Sequence, residues 1–242
     1  MINVVRQKET PASLNTVEIQ KYIQKAILYV NDPDHNPKPD KPATYRNSDL
    51  LEAFDRDFYS KCYMTEKKFI NSWTMDIDHF FSQNERPTLV YDWNNLFPAD
   101  HYSNMIKPRK TPDGGLLDPS NPNDDVEKEI FYSLSSYGYD PQFEPQNPTN
   151  IKAVNTCNLL TRVHNGHDET TKKGTEDLRH GIHKRYIKVL HKINEWRSHE
   201  EGSAEKNQAK RELRDLLSRK SSFTMLIRSM PAVRQLPHEF LD

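Results

Sequence analysis

Between Met75 and Pro108 the chain gathers side chains suited to hydrolysis at phosphorus: Asp78 beside His79, asparagines at 95 and 104, and Lys107. Cleaving a phosphodiester needs a water made nucleophilic, a cation to offset charge at the scissile phosphate, and stabilisation of the leaving oxygen. Carboxylate and amide oxygens suit a hard octahedral ion such as Mg²⁺, with Mn²⁺ an alternative, and imidazole suits proton abstraction near neutral pH. If a strand stops at Asp78-His79, period-two alternation no longer forces the two side chains to opposite faces, and one site can use both. A helix over about 99–106 then sets Asn104 one turn from Asp100 and Lys107. Each residue also has a plainer reading: Asp78 as a surface carboxylate, His79 as a core imidazole, Asn95 and Asn104 as turn or helix residues, Lys107 as a solvated charge. Only their combination favours the chemistry.

The elements that must position these groups read as mainly helical. "TVEIQKYIQKAILYV" predicts a helix over 16–31 with Val17, Ile23, Ile27 and Val30 on one face, ended by the proline-rich connector 32–43. Ser48 is placed to cap a second helix, with Leu50, Leu51, Phe54 and Phe58 as its apolar stripe. Residues 62–81 read as a hairpin or strand pair, and 108–125, rich in Pro, Gly, Asp and Asn, as a loop. A further strand pair is expected around Gly138. Helices follow at 150–164 (Val154, Leu159, Leu160, Val163), at 175–196 (Leu178, Ile182, Tyr186, Val189, Ile193, Trp196) and at 203–220 (Leu213, Leu216, Leu217 inward). "SSFTMLIRSM" adds a short one, giving an α+β fold dominated by helices.

Composition narrows the rest. The chain has 242 residues, enough for one sizeable core, and its 34 basic and 35 acidic side chains nearly cancel, so overall charge names no partner. No apolar run approaches the roughly 20 residues a bilayer-spanning helix needs, and a soluble cytoplasmic protein is the expectation. Cys62 and Cys157 sit in no CxxC pair and read as small buried apolar residues rather than a disulfide or zinc framework. Between Glu176 and Lys220, 12 Lys and Arg face 8 Asp and Glu, and Arg179, Lys184, Arg185 and Lys188 are the phosphate-contact candidates there. Alternating charge along that run also fits a plain solvated helix face.

Asp78-His79, then "WNNL", then Asn104 followed three residues later by Lys107 resembles the HNH nuclease motif. The wider pattern "KCYMTEKKF", "IDHFFSQ", "YDWNNL", "SNMIKP", "GGLLDP", "NTCNLLTRVHN" and "LRHGI" resembles the PtuB component of Septu anti-phage systems over about 45–185. The resemblance implies a ββα-metal core near 62–108, an N-terminal helical arm over 1–61, and a loop with a helical region over 109–242. It implies His79 as general base, Asp78 and Asn104 as ligands of one divalent ion, Asn95 as the brace of the loop between the strands, and Lys107 near a backbone phosphate. It implies a nucleic-acid substrate, DNA before RNA such as tRNA, and work beside a PtuA-like ATPase; for retron members a reverse transcriptase and msDNA join the partners. A non-catalytic assembly subunit of that ATPase complex is the rival of a different class. Many relatives hold a structural zinc with cysteine pairs; here Ser103 precedes Asn104 and Cys62 stands alone, so no zinc is expected and Tyr63, Phe69 and Trp73 are left to hold the hairpin.

Overall fold

The computed structural model describes residues 1–7, 9–42, 46–135 and 140–242. Helix α1 (Val17–Asn31) starts at Thr16, whose hydroxyl accepts from the Ile19 amide. Its inner face differs from the expected one: Ile19, Tyr22 and Ala26 are buried, whereas Val17, Ile27 and Val30 are exposed. The buried face lies away from the exposed Glu18, Lys21, Gln24 and Lys25, and a distant contact anchors it. Tyr22 packs edge-on against Tyr91 at 5.2 Å between ring centres, and its hydroxyl donates to Pro87 O.

Helix α2 (Ser48–Phe58) buries Leu50, Leu51, Phe54 and Phe58 as expected, although Asn47 occupies the cap position and Ser48 is already helical. This helix is the plate under the site. Phe54 lies 5.1 Å from Trp93 and Phe58 lies 5.6 Å from Phe97, which fixes the segment carrying the second strand.

The strand pair expected within 62–81 forms differently. Strand β1 (Asp76–His79) pairs antiparallel with β2 (Leu96–Ala99), Asp78 opposite Phe97 and His79 opposite Leu96. Residues 62–67 instead form a knuckle, with Glu66 donating its amide to Cys62 O and Cys62 to Lys67 O, closed by one bridge between Lys61 and Lys68. Tyr63 is buried and Phe69 packs against the core. Trp73, expected to hold this region, is 66% exposed. Helix α3 (His101–Ile106) follows β2 directly and completes a ββα unit.

No helix or strand occupies 108–125, as the turn residues there predict. After α4 (Val126–Glu129), β3 (Ile130–Leu134) pairs antiparallel with β4 (Pro141–Pro145); the turn expected around Gly138 lies outside the described residues. Helix α5 (Ile151–Asn165) is capped by Asn150 and ends at Gly166, whose φ of 73° and close approach to the Lys172 backbone demand glycine. Next come α6 (Glu169–Gly174), α7 (Glu176–Ser198), α8 (Ala204–Leu217, capped by Ser203), α9 (Thr224–Arg228) and α10 (Pro231–Arg234). The inward leucines of α8 and the stripe of α7 match expectation; α6 and α10 were not anticipated, and neither was α4, whose residues 126–129 read as part of the strand pair. One hydrophobic cluster runs from Met1 to Phe240, so the segments 1–61, 62–108 and 109–242 share a core. Among the described residues no helix is long and apolar enough to cross a membrane.

Candidate active site

A cavity of about 900 Å³ opens where β1, α3, the loop after α3 and α5 meet, and Asp78, His79, Asn104 and Lys107 all line it. Strand β1 ends at His79, so the chain turns away there and both residues of the pair reach this space. Asn104 comes from α3, its amide bonded to Asp100 O one turn back.

Asp78 is 6% exposed and its two oxygens are used unequally. Oδ2 accepts from the Tyr63 hydroxyl at 2.6 Å and from Lys107 Nζ at 2.7 Å, whereas Oδ1 takes no hydrogen bond among the described residues. Burial and the neighbouring carboxylate push the Tyr63 hydroxyl well above its ordinary pKa, which keeps it a donor.

His79 Nε2 lies 3.0 Å from Val90 O. A carbonyl only accepts, so Nε2 carries the hydrogen and Nδ1 the lone pair, the tautomer a general base requires. Burial lowers the imidazole pKa and favours the neutral form. The Gln83 amide nitrogen is 3.0 Å from Nδ1 and 3.4 Å from Nε2, a pair of distances that sets it over the ring rather than along one lone pair; Lys41 donates to the same amide's oxygen.

Asn95 lies in the hairpin loop at 3% exposure and does not line the cavity. Its Oδ1 accepts from Phe81 N at 2.7 Å, and its Nδ2 donates to Phe81 O and Leu89 O at 3.1 and 3.0 Å. The side chain thus clamps the segment after β1 to the segment before β2.

Lys107 turns inward. Beyond Asp78, it donates to His79 O at 2.8 Å and approaches Phe80 O at 3.4 Å. A phosphate contact from Lys107 therefore requires exchange of these bonds. Arg179, Lys184 and Arg185 do not line the cavity. Arg179 binds Asp140 and Lys172 O, and half-buried Arg185 donates to Leu216 O across the α7–α8 contact, its pKa lowered by burial; Lys184 is exposed. Two of these three phosphate-contact candidates are thus engaged in bonds within the protein, and all three lie away from the cavity.

The cavity's basic wall comes from Lys41, Arg109, Lys110 and Arg162, none singled out from sequence. "KPRK" directly after the motif was the available signal for two of them. Arg162 reaches back to Ile106 O at 2.7 Å and caps the C-terminal end of α3. Asp76 was also missed: it accepts from Asn104 Nδ2 at 3.1 Å and lies 2.9 Å from His101 Nδ1. Asp-x-Asp on a strand puts both carboxylates on one face, which the sequence could have signalled.

Among the described residues no group of three His, Cys, Asp or Glu side chains could hold a metal ion. The donors lining the cavity include the Asp78 carboxylate and the Asn104 amide oxygen, types that fit a hard ion keeping most of its waters, as Mg²⁺ does. Cys62 and Cys157 are buried free thiols, and Ser103, 1% exposed, has a hydroxyl without a hydrogen-bond partner among the described residues. No protein-family model matches the chain, and comparison with curated proteins and with solved structures finds no match.

Proposed function

We propose that this chain is a metal-dependent HNH-type endonuclease that hydrolyses nucleic-acid phosphodiesters, DNA before RNA, as the effector of an anti-phage system acting with a PtuA-like ATPase. The observation that carries the reading is the convergence of Asp78, His79 and Asn104 on one basic-walled cavity, presented by a ββα unit. When bound, Mg²⁺ or Mn²⁺ offsets charge on the phosphate and on the departing oxygen. Asp78 and Asn104 would hold it through their oxygens. His79, its Nε2–H fixed on Val90 O, takes a proton from water at Nδ1. Lys41, Arg109, Lys110 and Arg162 attract and orient the polyanion whatever its base sequence. Nothing in this set reads a base or a 2′-hydroxyl, so RNA stays the second substrate class.

Incubation of purified chain, with and without the ATPase, on plasmid and total RNA with Mg²⁺ or Mn²⁺ tests the proposal. Cleavage is expected in wild type and abolished by His79→Ala with ATPase binding intact. Persistence of cleavage in that variant would remove His79 from the mechanism, and ATPase binding without cleavage of either substrate favours the assembly-subunit reading.

A further inference from the structure

An asparagine can offer a cation its oxygen or, after a half-turn of the amide, present its nitrogen instead. Asn104 is held in one of these orientations. Its Nδ2 donates to Asp76 Oδ2 at 3.1 Å, and an ionised carboxylate has no hydrogen to return, so the opposite orientation would set two acceptors against each other. Oδ1 is therefore turned away from Asp76, and among the described residues it accepts no hydrogen bond. Asp76 is well anchored for this task. It lies on β1 opposite Ala99, one residue before the cap of α3, and its Oδ2 also meets His101 Nδ1 at 2.9 Å. The α3 side of the unit thus meets strand carboxylates twice: Asp76 holds Asn104 and His101, and Asp78 holds Lys107.

We infer that Asp76 is a positioning residue that presents Asn104 Oδ1 to a divalent cation without itself being a ligand. This rests on the metal-dependent reading above. Without the Asp76 carboxylate the Asn104 amide is free to turn its nitrogen toward the cation, which lowers apparent affinity; losing an outer partner of a metal ligand typically costs roughly 10–100-fold.

Two readouts independent of turnover test this on the full chain without nucleic acid. Mn²⁺ binding followed by electron paramagnetic resonance should be weakened roughly ten-fold or more in Asp76→Ala. Asp76→Asn, whose side-chain oxygen still accepts, should retain most of the affinity. Asp76→Ala combined with Asn104→Asp should recover it, since a carboxylate offers an oxygen in either orientation. In metal-free protein the Asn104 side-chain NH₂ resonances should shift in Asp76→Ala with the remaining amide spectrum in place. Wild-type affinity in Asp76→Ala, unmoved Asn104 resonances, or a double variant as weak as Asp76→Ala would overturn the assignment. The last outcome would make Asp76 a ligand or a structural support. Failure of wild type to bind Mn²⁺ at all would instead defeat the metal-dependent reading, and this inference with it.

Discussion

At the residue scale, the site is built from bonds that leave few side chains free to move. Asn95 satisfies Phe81 N, Phe81 O and Leu89 O at once while nearly fully buried. Asn95→Ala strands those groups, at about 1–3 kcal/mol for each that water does not reach. Equilibrium denaturation of Asn95→Ala should therefore show a loss of about 2–4 kcal/mol, and a loss below about 0.5 kcal/mol would mean that the clamp contributes little. Tyr63 and Lys107 share Asp78 Oδ2, and truncating either leaves a buried carboxylate short of a partner. Lys107→Met should lower stability in metal-free protein by about 3 kcal/mol, and added Mn²⁺ should restore part of it by supplying the missing positive charge. Thermal unfolding with and without Mn²⁺ measures both, and a variant as stable as wild type would show that the pair is not needed. How Lys107 is used was not legible in the sequence, because a lysine reads as a solvated charge until the fold closes around it. Asp78-His79 and Asn104 were legible through the resemblance of their order and spacing to the HNH motif, since the strand pairing that sets α3 beside β1 is not written in the local periodicity.

At the element scale, helices were legible and faces only partly so. Helices α5, α7 and α8 declare themselves through three- and four-residue apolar spacing, and Asn150 and Ser203 cap two of them by accepting amides three residues on. Helix α1 declares its ends, but its inner face is centred on Ile19, Tyr22 and Ala26, away from the exposed Glu18, Lys21, Gln24 and Lys25 and rotated from the stripe of Val17, Ile23, Ile27 and Val30; Tyr22 meeting Tyr91 anchors it. Tyr22→Ala should accordingly cost about 3 kcal/mol and Ile27→Ala less than about 1 kcal/mol in denaturant titrations; the reverse order would restore the face read from sequence. The pairing of β1 with β2 was equally hidden, because sixteen residues with only two single-turn 3-10 helices separate their ends and register depends on contacts such as Phe58 with Phe97. The N-terminal segment reinforces that register: the Arg6 guanidinium donates to Trp93 O and Leu96 O, at 2.8 and 2.9 Å, and lies over the rings of Phe58, Trp93 and Phe97.

At the scale of the whole molecule, one core carries buried ionisable groups that tie its stability to pH. Burial drives His164 down to about 3, so the folded chain excludes a proton that the unfolded chain accepts below about 6.5. Burial alone would raise Glu66, but the Met1 amino group and Lys61 outweigh it and bring it from 4.5 to about 2. In both cases the unfolded state binds the extra proton. Stability is therefore full above about pH 6.5 and falls on acidification, first through His164 and, below about 4.5, through Glu66 as well, at up to about 1.4 kcal/mol per pH unit for each. Denaturant titrations between pH 7 and 4 read this slope, and His164→Leu should flatten its upper part; a flat wild-type profile would contradict it. The same packed body holds Asp78, Asn104 and His79 on one cavity, and the functional account depends on a single cation between the first two. Anomalous diffraction from crystals of this chain soaked in Mn²⁺ tests that most directly. The account predicts one peak about 2.1 Å from an Asp78 oxygen and from Asn104 Oδ1, facing His79. No peak at that place, or an ion bound by other residues, would contradict it.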